Sequence, residues 1–182
     1  MLNTPNAVQK PDFNGDGKTD LFWRSPVTNQ TAVWLMDGTQ LLQGSFLADV
    51  PVTNGWDDPA FGDFNGDGKT DLFWRNSLTG ENAIWLMEGV RLLEGQFIEP
   101  VKQGGTALLG DFNNDQKTDI LWHIPAEGLV SIWEIDGTTV AETLLLQPLG
   151  ELWTAKLGDL MAIARRICCG AIAAMGRRWF GF

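Results

Sequence analysis

Residues 63–71 read DFNGDGKTD, and this loop decides how the rest of the chain is understood. Asp63, Asn65, Asp67 and Asp71 place side-chain oxygens at positions 1, 3, 5 and 9, where a loop curling around one ion can converge them. Lys69, at position 7, offers its backbone carbonyl. Gly66 and Gly68 permit the positive φ that such a tight curl needs. Three carboxylates with further hard oxygen donors suit Ca²⁺, which takes six to eight oxygen ligands at about 2.3–2.6 Å.

The pattern returns on both sides. Residues 12–20 repeat every donor as Asp12, Asn14, Asp16, Lys18 and Asp20, and residues 111–119 repeat them as Asp111, Asn113, Asp115, Lys117 and Asp119. One Ca²⁺ per loop, three in all, is the expectation. In the third loop Asn114 and Gln116 replace the two glycines, and glutamine tolerates positive φ poorly, so the third site is expected to be the weakest. The plainer alternative is three Asx-capped turns. Three loops in register, each pooling three carboxylates that repel one another unless a cation is bound, favour the metal. An EF-hand is excluded, because position 12 is Trp23, Trp74 or Trp122 where that motif requires Glu.

Outward from the loops the chain is periodic. Asp12, Asp63, Asp111 and Asp159 open units spaced by 51, 48 and 48 residues. Each complete unit carries one Trp 11 residues after its opening Asp (Trp23, Trp74, Trp122) and another 22 after it (Trp34, Trp85, Trp133). Short aromatic and aliphatic runs such as DLFWR and NAIWLMEG, the latter ending in a hairpin-type acid–Gly pair, read as strands joined by tight turns. Four antiparallel strands in about 50 residues is the size of a propeller blade. The expected fold is all-β: a partial β-propeller of about three four-stranded blades over residues 1–159. The recurring Trp residues are assigned to packing between blades, and Trp56 and Trp153 are the aromatic side chains expected nearest the surface.

These loops and their period resemble the FG-GAP or VCBS repeats, the calcium-loop blades of integrin-α-like β-propellers. The resemblance covers about residues 8–159. It implies a calcium ion in the hairpin loop of each blade, a secreted or cell-surface setting, and a role in adhesion or in recognising a protein or carbohydrate ligand. Complete members commonly carry about seven blades, within the four to eight that close a ring. Three blades should leave exposed strand edges that favour self-association. A non-catalytic accessory domain of a larger enzyme and a gene remnant are the alternative readings.

Composition narrows the partners. The net charge is −10, with all 23 acids at or before Asp159 beside nine basic residues. An acidic body of this kind argues against nucleic-acid binding. No apolar run is long enough to span a membrane, and MLNTPNAVQKPDF lacks the basic start and apolar stretch of a signal peptide. The single His, His123, takes the slot held by Arg24 and Arg75 and reads as a repeat variant, so no enzyme activity is expected.

At Asp159 the pattern stops. Residues 160–182 carry Arg165, Arg166, Arg177 and Arg178 and the adjacent Cys168 and Cys169. Shifted by one base, the codons of Met161, Ile163, Arg165, Arg166 and Ile167 admit Asn, Asp, Lys, Thr and Asp, and that of Gly170 admits Trp. The hidden frame then reads D-F-N-G-D-x-K-T-D-L-L-W-R-N. A single-base frameshift inside a fourth blade explains this better than an Arg-rich amphipathic helix at an anionic membrane. Sequencing the gene through the Leu160 codon should reveal codons compatible with that hidden frame; incompatible codons would remove the explanation.

Overall fold

A computed structural model of the protein describes residues 10–51 and 54–147. The readings placed on residues 160–182 and on Trp153 and Asp159 lie outside the described residues. Eleven strands form three antiparallel sheets, and the described residues contain no α-helix. The first sheet is β1 (Leu21–Arg24), β2 (Thr31–Asp37) and β3 (Gln40–Phe46). The second runs β4 (Ala60–Gly62), β5 (Asp71–Arg75), β6 (Asn82–Glu88) and β7 (Arg91–Ile98). The third runs β8 (Thr106–Gly110), β9 (Asp119–Ile124), β10 (Leu129–Asp136) and β11 (Thr139–Leu145). Strand order follows chain order in each, as expected of propeller blades. The first sheet has three described strands where four were expected. The run PAFG, at the end of one sequence unit, pairs as β4 with β5 of the next. Each complete sheet therefore begins just ahead of its loop, and the loop is the connection between its first two strands.

Alternation along the strands gives every sheet a forward and a rear face. On β1, Phe22 and Arg24 point forward to the second sheet, whereas Leu21 and Trp23 point to the rear. Phe22 meets Trp74 at 6.0 Å between ring centroids, and the Arg24 guanidinium lies 5.3 Å from the same indole. The next junction repeats the arrangement: Phe73 meets Trp122 at 6.1 Å, with Arg75 4.7 Å from its ring. Two apolar clusters fill these junctions, one around Phe13, Val33, Leu72, Trp74 and Met87, the other around Phe64, Phe73, Ile84, Trp122 and Ile135.

The role given to the tryptophans needs one correction. Trp74 and Trp122 are 1% and 0% exposed, but Trp23 and Trp34 are 48% and 38% exposed, because no described sheet stands behind the first. Trp56 is half-buried, its ring 6.0 Å from Phe97. The second Trp of the first two units also lies over a glycine of the neighbouring strand. A Cβ at Gly44 would come within 2.8 Å of the Trp34 ring, and one at Gly95 within 3.0 Å of Trp85.

The loops join the sheets as well as the strands. Asp12 donates its N–H to the Thr70 hydroxyl (2.8 Å), and Thr70 returns its own N–H to the Asp12 carbonyl (2.8 Å). Asp63 and Thr118 make the same reciprocal latch at 2.9 and 2.6 Å. Beside each latch, the hairpin glycine of the following sheet donates to the carbonyl of a loop phenylalanine, Gly89 to Phe13 and Gly137 to Phe64, both at 2.9 Å. Thr70 and Thr118 are buried, whereas Thr19, at the same loop position in the first unit, is exposed. Thr70→Val keeps the shape but removes the acceptor for a part-buried N–H, so it should lower stability by about 1–3 kcal/mol. Thr19→Val should leave thermal unfolding nearly unchanged, and equal losses for the two variants would contradict the latch.

Candidate metal-binding loops

Each loop is held in one conformation by its own acceptors. In the second, one Asp63 oxygen accepts from the N–H of Gly66 (2.7 Å) and Asp67 (3.1 Å), and the other accepts from Gly68 (2.8 Å). The Asn65 amide oxygen accepts from Asp67 N–H at 3.0 Å, and Asp67 from Lys69 N–H at 2.9 Å. The first loop makes the equivalent bonds from Asp12, Asn14 and Asp16. The third makes them from Asp111, Asn113 and Asp115. This winding requires positive φ at positions 4 and 6. Glycines supply it in two loops, while Asn114 and Gln116 adopt φ of 64° and 71° in the third.

Position 9 has a structural task that the sequence pattern alone did not disclose. Asp20, Asp71 and Asp119 are fully buried. One oxygen of Asp71 accepts from Phe64 N–H (2.9 Å) and the other from Met87 N–H (2.8 Å). Met87 stands at the bulge of β6, where the ladder with β7 slips. Asp20 serves Phe13 and Met36 in the same way, and Asp119 serves Phe112 and Ile135, each at the bulge of its own sheet. The carboxylate thus satisfies an amide freed from the ladder by the bulge and pins the loop entrance to the sheet.

This burial has an electrostatic consequence. Desolvation pushes the Asp71 carboxyl up to about 6, against the two backbone bonds, and the nearby Asp67 and Asp63 charges add to the rise. Burial moves Asp119 in the same direction, with Asp115 adding to it. The position-7 lysines reach the acid of the β-hairpin in their own sheet, and two of them also stand beside a loop carboxylate, Lys18 4.0 Å from Asp16 and Lys69 3.8 Å from Asp67. Lys18 reaches Asp37 at 3.0 Å, Lys69 reaches Glu88 at 3.7 Å and Lys117 reaches Asp136 at 2.6 Å. An ammonium group cannot ligate a cation, so only the main-chain carbonyl of each lysine could face an ion.

Among the described residues, no three Asp, Glu, His or Cys side chains form a metal cage by themselves. A cation here would have to draw on the Asn amide oxygens and the position-7 carbonyl together with the carboxylates. Such a donor set, all hard oxygen and strongly anionic, fits a calcium-sized ion. The residues that would hold it are Asp, Asn, Asp, Lys (by its carbonyl) and Asp at positions 1, 3, 5, 7 and 9. The position-9 carboxylate keeps lone pairs beyond the two that its amides use.

Three sheets in chain order, joined by loop-to-sheet latches, define a propeller-type repeat module. The family model for the FG-GAP-like repeat matches residues 12–74 and again residues 63–122, each match running from an opening Asp to the first Trp of the next unit. The chain belongs to the FG-GAP-like repeat family. No curated protein and no solved structure matches it.

Asp71 titrates higher in the fold than the ordinary carboxylate value of about 4, so the folded chain binds its proton more readily than the unfolded one. Stability in the presence of chelator should therefore fall as pH rises through about 5 to 6. Glu88, held low by its bond to Arg91, acts in the opposite direction, but only below the ordinary carboxylate range. Thermal unfolding midpoints recorded in chelator across this window should decline, and a steady rise would contradict the assignment.

Proposed function

We propose that the chain is a calcium-binding repeat module in which each ion fixes a loop that also latches two neighbouring sheets. The observation that carries the reading is the threefold return of one anionic, oxygen-rich loop, wound the same way each time and anchored by a buried carboxylate. An ion at each loop offsets the mutual repulsion of its three carboxylates. The module serves ligand recognition or adhesion, toward a protein or carbohydrate partner, in a secreted or cell-surface setting, and performs no catalysis itself. His123 fits this role: it is buried in the slot from which Arg24 and Arg75 reach the following sheet.

Calcium that binds only the folded loops raises the unfolding free energy by mass action, by about 2.7 kcal/mol at a hundredfold excess over Kd for one site, and the midpoint rises with it. Thermal unfolding in millimolar Ca²⁺ against chelator should show a clear upward shift, reduced by Asp67→Ala and little affected by Lys69→Met. Gln116→Gly, which relieves the positive φ in the third loop, should tighten the weakest site. No shift in the parent chain would remove the proposal.

A further inference from the structure

We propose that the cleft between the second and third sheets binds a free α-amino acid, its carboxylate held by Arg75 and its ammonium by Asp57. The cleft encloses about 420 Å³, within the range of about 300–1,000 Å³ usual for small-ligand sites. Its walls come from the entry to β4, from β5 and the residues just after it, and from the entry to β8. It therefore lies inside the stack of described sheets and not at either end.

The first junction shows the same slot filled by the chain itself. There the Arg24 guanidinium donates to the main-chain carbonyls of Trp56 (2.8 Å) and Asp57 (2.6 Å). It also pairs with the Asp58 carboxylate at 3.1 Å, and only 6% of its side chain is exposed. The 48-residue period puts Gly104, Gly105 and Thr106 where Trp56, Asp57 and Asp58 stand. The indole and both carboxylates are missing there, and these three residues line the cleft. A Cβ at Gly104 would meet nothing within 4 Å.

Arg75 keeps the place of Arg24 but not its partners. It donates to the Asn82 amide oxygen (3.0 Å) and to the carbonyls of Val101 (3.3 Å) and Lys102 (3.1 Å), and to nothing in residues 104–106. Among the described residues it makes no ion pair. A guanidinium carries five N–H groups, so these bonds leave donors over for a ligand. Burial pulls the Arg75 guanidinium below its ordinary value, and the nearby Asp57 charge opposes that fall.

The charges on the walls select the ligand. Asp58 is already matched by Arg24, which leaves one unmatched cation, Arg75, and one unmatched anion, Asp57, lining the cleft. A simple carboxylate would satisfy Arg75 but be repelled by Asp57 and by a chain of net charge −10. A simple amine would leave Arg75 without a counterion. A zwitterion satisfies both, and Ala60, Phe73 and Ala107 offer its side chain an apolar wall. Asp71 and Arg75 stand at opposite ends of β5, so the site is separate from the calcium loops and does not depend on them.

Titration calorimetry on the full chain should show saturable binding of L-leucine, and of glycine, which has no side chain to clash, in calcium and in chelator alike. L-leucinamide lacks the carboxylate and 4-methylpentanoate lacks the amine. Each should bind about tenfold or more weakly than leucine, the usual loss for one charge-assisted hydrogen bond. Thr106→Asp supplies at the third sheet the carboxylate that Asp58 supplies at the second, so it should abolish binding. If that variant fails to fold, Asp57→Asn decides, since the Asp57 side chain makes no hydrogen bond among the described residues. It should lower leucine to the level of 4-methylpentanoate without weakening the latter. No binding of either amino acid, equal binding of leucine and 4-methylpentanoate, or binding unchanged in folded Thr106→Asp would overturn the inference. A calcium-dependent thermal shift without amino-acid binding strikes this site alone, and amino-acid binding without that shift strikes the calcium reading alone.

Discussion

A buried carboxylate at the ninth position of each loop carries most of the architecture. Asp20, Asp71 and Asp119 each bind an amide at the loop entrance and another at a bulge about sixteen residues further along the chain. Without that acceptor the bulge would leave a buried N–H unpaired, at a cost of about 1–3 kcal/mol. With it, the loop entrance is pinned to the sheet, while the acceptors at positions 1, 3 and 5 wind the loop itself. The same burial makes the charge costly by desolvation, and the nearby Asp67 and Asp63 charges add to that cost. On the proposed reading, the feature that anchors the loop is also one that a bound cation would relieve.

The loops matter beyond their own residues because the sheets are fastened at them. Each Thr–Asp latch and each Gly–Phe bond crosses from one sheet to the next beside the donor set. Behind them, Phe and Arg from one sheet close over Trp of the following one, combining edge-to-face packing with a guanidinium on the indole. On the proposed reading, an ion that stiffened the loop would also stiffen the junction. This couples local oxygen chemistry to the stacking of sheets and gives the repeat a reason to retain loop and period together.

The period, the all-β class and the donor positions were legible because each is a one-dimensional pattern: Trp at fixed offsets, Asx at alternate positions, Gly where φ is positive. Asn114 and Gln116 were likewise recognisable as strained substitutes, and both take up the left-handed conformation. Facts that depend on a neighbour were harder to see. Alternation says that Phe22 and Trp23 face opposite ways, but only the assembled stack shows which side is covered, so Trp23 was assigned to packing although it is half exposed. PAFG follows one unit in sequence yet pairs within the next, since pairing is decided by the loop it enters. Thr70 and Thr118 could have been noticed as an invariant eighth position across the loops. Their partners, 58 and 55 residues away, had no sequence signal. Gly44 and Gly95 were legible only as small residues until the indoles above them were seen.

The central claim is that these loops bind calcium through oxygen donors close to the periodic tryptophans. Terbium, which occupies calcium sites and emits when excited through a nearby indole, tests it most directly. Titrated into chelator-treated protein, it should give tryptophan-sensitised emission that saturates at three ions per chain, weakens with Asp67→Ala and is displaced by Ca²⁺. Emission no greater than that of free terbium, or a signal that calcium fails to displace, would contradict the account.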